Sequence, residues 1–366
     1  MDKRTIGLII VNILLIAVLL VAKDRKKLRN FVLLITTTIL MLSVTEFVYR
    51  LFIQKHKYFT GDLADYFKQD SSLGYIIKKA GNSIAIKMDG NDTVFVKTYS
   101  VIADSTQPRI DFNHRIGFQH PDSAREIVFL GCSVTFGVGL DDTACMAYKT
   151  GQHTLSNTVN LGIQGYGTNQ VYQLFRKKFA DVPNTNRVFV YSFIYDHILR
   201  ANGVYDWSAA GPFFKIHADS LIHSGSLLMN VEKHNPKYIH YLSGLGTFSF
   251  LRKMLSNVDT RRRVDNLQQK DFDRCFMMIR TMVEIAERSG GQFLLLDWGG
   301  NQWNDNMIDE QLMADFKKKL DGLTNLRIIK VSSVMDLNDP QHILPDDGHP
   351  SALANEKLAF ALSSVL

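Results

Sequence analysis

Residues 129–137 have the sequence Phe-Leu-Gly-Cys-Ser-Val-Thr-Phe-Gly, a short apolar run followed by a turn of small residues. The apolar run predicts a buried strand, and the small residues predict a sharp turn into a helix. The first N–H groups of that helix can stabilise a developing oxyanion, and a nearby base can activate a serine hydroxyl. Ser133 is therefore a candidate nucleophile, and a helix cap is its structural alternative.

The same rhythm of a short apolar run, a loop and a helical stretch repeats through the rest of the chain. The apolar runs lie at 127–130, 159–161, 188–192, 293–296 and 326–331. Strands that are apolar throughout are buried on both faces, which predicts a parallel sheet flanked by helices. We therefore expect an α/β domain over residues 123–366, with functional residues on loops at the carboxyl ends of its strands.

Two segments break this rhythm. Between residues 55 and 122, polar and apolar residues alternate around glycines, which predicts a small β-rich lead-in of short strands. Residues 199–269 are rich in aromatic, histidine and glycine residues and are too long for a plain connection. We expect them to form an inserted lid or substrate-binding subdomain, whereas the lead-in carries no recognisable chemical motif.

Residues 1–54 are predicted to form a membrane hairpin. Apolar runs at about 6–22 and 31–53 each approach the roughly 20 residues that a helix needs to cross a bilayer. The loop between them carries five basic residues and one acidic residue, which favours a cytoplasmic loop and a periplasmic, or otherwise extracytoplasmic, body. Glu46 and Arg50 are expected to pair at the membrane edge. A cleaved signal peptide is the alternative for the first run.

The composition excludes several classes of function. The formal net charge is +6, and the densest basic cluster lies between the two apolar runs, so we expect no nucleic-acid partner. The 3 cysteines lack CxxC spacing, and no HExxH motif or Cys/His quartet is present, so we expect neither a metal nor another cofactor. Cys275 is predicted to be a buried thiol, and a disulfide between Cys145 and Cys275 is the alternative.

A second candidate for catalysis is found at residues 344–351, Leu-Pro-Asp-Asp-Gly-His-Pro-Ser. An acid three positions before a histidine can accept the imidazole Nδ1–H bond, which leaves Nε2 to take the serine proton. Asp346 and His349 are thus the predicted orienting acid and general base for Ser133. Because a lone Asp-x-x-His spacing is common, this prediction depends on the other segments.

Together these segments resemble the SGNH/GDSL hydrolases, a family with esterase, lipase, deacetylase and acyltransferase members on a flavodoxin-like three-layer α/β/α fold. The resemblance covers about residues 126–366. Residues 131–133, 160–165 and 346–349 are similar to the family's first, second and last sequence blocks. The resemblance implies that the backbone N–H groups of the nucleophile and of Gly165 stabilise the oxyanion.

The sequence departs from the family pattern at two positions. Cys132 replaces the aspartate that commonly precedes the nucleophile; a nucleophilic Cys132 is the weaker alternative, since adjacent side chains point to opposite sides of a turn. The family's third block carries an oxyanion asparagine after a strand, and aligning the strands places Tyr195 there. Tyr195, Asn169 and His197 are candidates for the third donor, and each has a purely structural alternative.

Trp298 and Trp303 belong to a loop after the fourth predicted strand of the α/β domain. Exposed indoles beside amides suit stacking on sugar rings, which favours an ester-bearing polysaccharide as substrate, and packing inside the protein is the alternative. The sequence therefore predicts a membrane-anchored, extracytoplasmic serine esterase or deacylase. An O-acyltransferase with the same site, or an inert glycan-binding or assembly protein, remains as an alternative function.

Overall fold

The computed structural model divides the chain into two compact units, Met1–His56 with Asn235–Arg261, and Lys57–His234 with Arg262–Leu366. The residues that it describes are 10, 12–14, 16, 17, 26–49, 57–61, 65–90, 92–104, 112–183, 185–231, 249–299, 307–345 and 347–366. The predictions that fall wholly or partly outside them are most of the first apolar run, the end of the second run with Arg50, parts of the lead-in, residues 232–248 of the insert, Trp303 and Asp346.

The described chain contains the following strands: β1 (Lys57–Gly61), β2 (Phe67–Asp70), β3 (Gly74–Ile77), β4 (Gly81–Asp89), β5 (Asp92–Asp104), β6 (Phe112–Arg115), β7 (Glu126–Gly131), β8 (Asn157–Gly162), β9 (Arg187–Phe193), β10 (Pro212–His217), β11 (Ser220–Ser226), β12 (Gln292–Asp297) and β13 (Leu326–Lys330). Its α-helices are α1 (Lys26–Val48), α2 (Ser133–Phe136), α3 (Met146–Thr154), α4 (Thr168–Phe179), α5 (Asp196–Ala201), α6 (Leu227–Val231), α7 (Ser249–Asp265), α8 (Gln269–Arg288), α9 (Glu310–Asp321) and α10 (Ala352–Ser363).

A nine-stranded sheet with the order β1-β4-β5-β6-β8-β7-β9-β12-β13 forms the centre of the larger unit. The five strands predicted from apolar runs are all present, as β7, β8, β9, β12 and β13, and they pair in parallel. The predicted parallel sheet is therefore confirmed. The lead-in strands β4, β5 and β6 extend this sheet in antiparallel fashion, through a single pair between Arg115 and Asn160 of β8.

Helices cover both faces of the parallel strands. Val128 and Leu130 of β7 belong to a core cluster shared with α4, α8 and α9, whereas Ile127 and Phe129 belong to a second cluster shared with α3 and α10. Alternate residues of a strand point to opposite faces, so a strand buried on both sides is apolar at every position. The result is three layers, α/β/α, as expected.

The buried guanidinium of Arg115 fastens the end of the lead-in to the loop that follows α2. Its Nε donates to Asp142 Oδ1 at 2.8 Å, and its Nη atoms donate to the carbonyls of Phe136, Gly137 and Leu140 at 2.6–2.8 Å. A buried charge is tolerated where it is paired and hydrogen-bonded, as this one is. Arg115 thereby fixes the backbone immediately after the candidate nucleophile.

The smaller unit contains α1. Among the residues that the structure describes, Arg29–Val48 is one helix long and apolar enough to cross a membrane. Glu46 is buried, and its Oε2 accepts a hydrogen bond from the Phe250 N–H at 2.9 Å, at the start of α7. The N-terminal end of α7, which belongs to the same unit, thus contacts α1 at the residue whose predicted partner was Arg50. Asn12, from the first apolar run, donates to Ser43 Oγ of α1 at 3.0 Å.

All 3 cysteines are free, buried thiols, and no bridge joins Cys145 to Cys275. Burial raises the pKa of Cys145 to about 11 and that of Cys275 to about 12. Both side chains are therefore uncharged at neutral pH and pack as small apolar groups.

Candidate active site

The turn that carries Ser133 requires glycine before it. Gly131 has φ +147°, and a Cβ there would lie 2.2 Å from Thr135 Oγ1 and 3.0 Å from the Ser192 carbonyl oxygen. The sharp turn buries Cys132 completely and leaves Ser133 partly exposed as the first residue of α2. Of the two adjacent candidates, only the serine is reached by solvent.

The second sequence block lies directly beside this turn. Gly162 pairs with Gly131 in the parallel ladder between β7 and β8, and the Ile163 N–H donates to the Gly131 carbonyl at 3.2 Å. Asn160 reinforces the junction, since its side chain donates to the Thr135 carbonyl at 2.9 Å. The end of β8 is therefore held against the nucleophile helix.

Gly165 closes the second block in a left-handed conformation, with φ +82°. A Cβ at this position would lie 2.6 Å from the Tyr75 hydroxyl and 2.8 Å from Trp207 Cζ3, so both backbone conformation and space favour glycine. Within the described part of the chain, neither the Gly165 N–H nor the Ser133 N–H has a hydrogen-bond acceptor. These two donors are the ones that the resemblance assigned to the oxyanion hole.

The imidazole of His349 is held by Asp347. Its Nδ1 lies 2.5 Å from Asp347 Oδ1, and Lys87 Nζ of β4 lies 2.8 Å from the same oxygen. Burial alone would raise the pKa of Asp347, but the hydrogen bonds and charges of His349 and Lys87 outweigh it and hold that pKa below its ordinary value. Asp346, which the sequence assigned to this role, lies outside the described residues.

The loop of His349 packs beside the loop that follows α2. Leu344 lies against Gly139, where a Cβ would be 2.4 Å from its Cδ1. The Ser133 hydroxyl contacts Cys132 Sγ at 3.9 Å, and no hydrogen bond to His349 is formed among the residues described. Catalytic hydrogen bonds are often long in the absence of substrate and tighten in the complex.

The three candidates for a third oxyanion donor are all enclosed in the protein. The Tyr195 ring is 8% exposed and lies under the Lys317 ammonium, 4.7 Å from it. Asn169 is 1% exposed, and its Nδ2 donates to the Pro212 carbonyl at 2.7 Å. Tyr195 therefore packs inside the protein, whereas Asn169 is held by the Pro212 carbonyl and does not cap α4, whose N-cap residue is Gly167.

His197, the third candidate, is completely buried. Its ring stacks on Tyr191, and its Nδ1 lies 2.9 Å from the Tyr191 hydroxyl. Burial holds the pKa of His197 well below its ordinary value, so the imidazole is neutral. His197 therefore packs inside the protein and holds Tyr191 near the carboxyl end of β9.

Arg200 is a buried residue of this region that the sequence analysis missed. It pairs with Asp196 at 2.6 Å, one helical turn earlier, and donates to the Tyr166 carbonyl of the second-block turn at 3.1 Å. Burial alone would lower the pKa of Arg200, but its interactions with Cys132 and Asp196 raise it. The i,i+4 spacing of Asp196 and Arg200 could have indicated this ion pair from the sequence.

The exposed indole beside the site is Trp207, not Trp298. Trp298 is 2% exposed and donates to Ser192 Oγ at 2.6 Å, so the expectation that it faces substrate is wrong. Trp207, from the insert, is 49% exposed and stacks on Tyr205 with ring centroids 5.4 Å apart. It borders Gly165. Trp303 lies outside the described residues.

These features define a class of site. A partly exposed serine begins the helix after a central strand, the turn with Gly165 follows the neighbouring strand, and a histidine held by a buried carboxylate lies on a loop that packs against Gly139. This is the layout of a serine hydrolase. Within the ranges that the structure describes, no group of His, Cys, Asp or Glu residues is arranged to hold a metal ion.

Comparison with known proteins gives similarities of fold. No protein-family model and no curated protein sequence matches the chain. Similar solved structures include a lipolytic protein of the G-D-S-L family from Desulfitobacterium hafniense DCB-2, with 14% identity, TM-score 0.38 and coverage of 66% of this chain and 99% of that one. The SGNH-hydrolase family esterase AlinE4 has 15% identity, TM-score 0.35 and coverage of 68% and 96%.

An acetyl xylan esterase from Butyrivibrio proteoclasticus is also similar, with 10% identity, TM-score 0.34 and coverage of 69% of this chain and 65% of that one. The solved structures that the chain resembles are thus SGNH/GDSL hydrolases and esterases. These identities and TM-scores are low, so the comparisons show a similarity of fold and no more.

Proposed function

We propose that this chain is a serine esterase of the SGNH/GDSL type that hydrolyses ester-linked acyl groups. The observation that carries the proposal is the His349 loop: its imidazole is bound to a buried carboxylate at 2.5 Å, and Leu344 of the same loop lies against Gly139, in the loop that follows the Ser133 helix. Among the residues that the structure describes, Asp347 is the carboxylate that contacts Nδ1, so it takes the role of orienting acid.

The mechanism follows from these positions. His349 Nε2 takes the proton of the Ser133 hydroxyl while the serine Oγ attacks the ester carbonyl carbon. The N–H groups of Ser133 and Gly165 stabilise the oxyanion, and His349 returns the proton to the departing alcohol. Water then attacks the acyl-serine with His349 again as base, which releases the carboxylic acid and restores the hydroxyl.

Trp207 supports a sugar as the alcohol part of the substrate. The indole is about half exposed, is backed by Tyr205, and borders the glycine that would bind the oxyanion. An exposed indole that borders Gly165 suits stacking on a pyranose ring whose ester is held over Ser133. The substrate class is therefore an acylated extracellular polysaccharide.

A membrane hairpin would hold this domain outside the cytoplasm. Three observations support it: the apolar helix of residues 29–48, its contact with Asn12 of the first apolar run, and the basic loop between the two runs. Lys and Arg in a short loop favour the cytoplasmic side, which leaves both chain ends outside.

The test uses the full chain in lipid nanodiscs with p-nitrophenyl acetate. Ser133→Ala should lose at least about a thousandfold in kcat, whereas Ser363→Ala, a partly exposed serine at the end of α10, should match the wild type. Equal activity in Ser133→Ala would remove the nucleophile assignment. Repeating the assay with a glycan acceptor separates hydrolysis from acyl transfer, since a transferase would yield acylated glycan in place of free acid.

A further inference from the structure

We propose that Lys87, on strand β4 of the lead-in, is a positioning residue that holds Asp347 for His349. The inference rests on the proposed function of His349 as general base. It gives the β-rich lead-in a catalytic task, although its sequence carries no recognisable motif. The segment completes the active site from a position more than two hundred residues earlier in the chain.

The geometry joins the three side chains through one atom. Lys87 Nζ lies 2.8 Å from Asp347 Oδ1, and His349 Nδ1 lies 2.5 Å from the same oxygen. The Lys87 and Asp347 side chains are 9% and 1% exposed, so solvent screens their attraction little. Asp347 Oδ2 is buried and has no hydrogen-bond partner among the residues that the structure describes. The two contacts at Oδ1 therefore fix the orientation of the Asp347 carboxylate.

Strand β4 departs from the usual strand pattern at this residue. Ser83, Ala85 and Lys87 point inward and are buried, while Ile84 is 48% exposed. Alternation alone would place the isoleucine inside and the lysine outside. The ladder with β5 also changes register between Lys87 and Met88, and such bulges redirect side chains. A strand that exposes isoleucine in order to bury lysine indicates a functional constraint on the lysine.

The physical role of the ammonium group is to keep a buried carboxylate ionised and oriented. Burial raises the pKa of Asp347, and the contacts with His349 and Lys87 oppose that effect. Without Lys87, the carboxylate loses one of the two side chains that contact its Oδ1 and is free to turn about its side-chain torsions. The imidazole then spends less time with Nε2 directed at Ser133, so the chemical step slows while substrate binding is unchanged.

Lys97 provides a matched control. It lies on the neighbouring strand β5, and its Nζ pairs with Asp141 Oδ2 at 2.7 Å. That carboxylate is 62% exposed and, among the described residues, makes no hydrogen bond or ion pair with Asp347 or His349. Both lysines thus link the lead-in to the catalytic domain by an ion pair. Only Lys87 reaches the proposed catalytic residues, so the comparison separates positioning from attachment.

The experiment measures kcat and KM of the full chain, and the rate at which a fluorophosphonate labels Ser133. Lys87→Met should lower kcat and the labelling rate by about 10- to 100-fold, with KM within about twofold. Lys87→Arg should recover most of the loss, because it restores the positive charge, and Lys97→Met should match the wild type. Wild-type rates per folded molecule in Lys87→Met, or Lys87→Arg as slow as Lys87→Met, would overturn the inference.

A second measurement separates this inference from the proposed function. If the wild-type chain neither hydrolyses esters nor reacts with the fluorophosphonate, the proposed function is wrong. The downfield proton NMR resonance of His349 Nδ1–H then decides the role of Lys87 by itself. Its presence in the wild type and its loss in Lys87→Met would support the inference, and an unchanged resonance would overturn it.

Discussion

Replacing Gly165 by alanine should reduce kcat by about 10²- to 10³-fold, because it displaces one of the two backbone donors of the proposed oxyanion hole. The residue has φ +82°, a conformation that costs an alanine about 1–2 kcal/mol. The new Cβ would also lie 2.6 Å from the Tyr75 hydroxyl and 2.8 Å from Trp207 Cζ3. Both distances are too short for van der Waals contact, so the turn must move.

The direction of that movement sets the size of the effect. The Tyr75 hydroxyl cannot retreat freely, since it donates to the Gln164 carbonyl at 2.8 Å. The backbone of residue 165 must therefore shift by several tenths of an ångström, so that its N–H no longer points at the oxyanion. Loss of one such donor costs about 3 to 4 kcal/mol in transition-state stabilisation, whereas the free energy of unfolding should fall by only about 1–3 kcal/mol.

The assay compares Gly165→Ala with Gly90→Ala in kcat, KM and denaturant midpoint. Gly90 also has a positive φ, +63°, but a Cβ there meets nothing within 4 Å, so it reports the backbone strain alone. Gly90→Ala should be slightly less stable and fully active. A Gly165→Ala protein that is folded and keeps more than about half of the wild-type kcat would refute the role assigned to its N–H.

Three further predictions concern other parts of the site. Trp207→Ala should raise KM for acylated oligosaccharides by about 3- to 10-fold and leave p-nitrophenyl acetate unaffected; parallel kinetics on the two substrates check this, and equal effects would argue against sugar stacking. Arg115→Met should lower the free energy of unfolding by about 3–5 kcal/mol in urea titrations, because it leaves Asp142 and three carbonyls without their buried donor; a loss below about 1 kcal/mol would mean that the network contributes little. Since the pKa of Asp347 in the folded chain lies below its ordinary value of 3.8, its ion pairs add stability that is complete above that value and is lost as the pH falls through the lower, folded-state pKa. Acid unfolding followed by circular dichroism should therefore begin at higher pH in Lys87→Met, and superimposable curves would contradict the linkage.

The five parallel strands of the central sheet could be predicted because the residues that identify them are consecutive in sequence. Residues 127–130 are buried on both faces, and such a strand must be apolar at every position, whatever its neighbours are. The lead-in offered no comparable signal for its partner. Its strands were expected from alternation, but their attachment to the central sheet depends on one pair, Arg115 with Asn160, between segments distant in sequence.

Candidate site residues could be predicted where the residue type itself determines the chemistry. They could not be predicted where the position of a side chain depends on packing. Ser133 and Gly165 occupy turns that few other residues could form, which makes their motifs visible. Lys87 escaped notice because β4 inverts the usual alternation. Trp298 and Trp303 were judged by their positions after a strand, yet Trp298 is buried in the core cluster of Val331 and Met335, and the exposed indole, Trp207, belongs to the insert. A sequence does not show such packing locally.

Ser133 is the proposed nucleophile. The most direct measurement is reaction of the full chain with a fluorophosphonate, followed by peptide mapping with mass spectrometry. We expect one adduct, on Ser133, that is absent from Ser133→Ala and forms much more slowly in His349→Ala. An adduct on another residue, or no adduct on a folded protein, would contradict it.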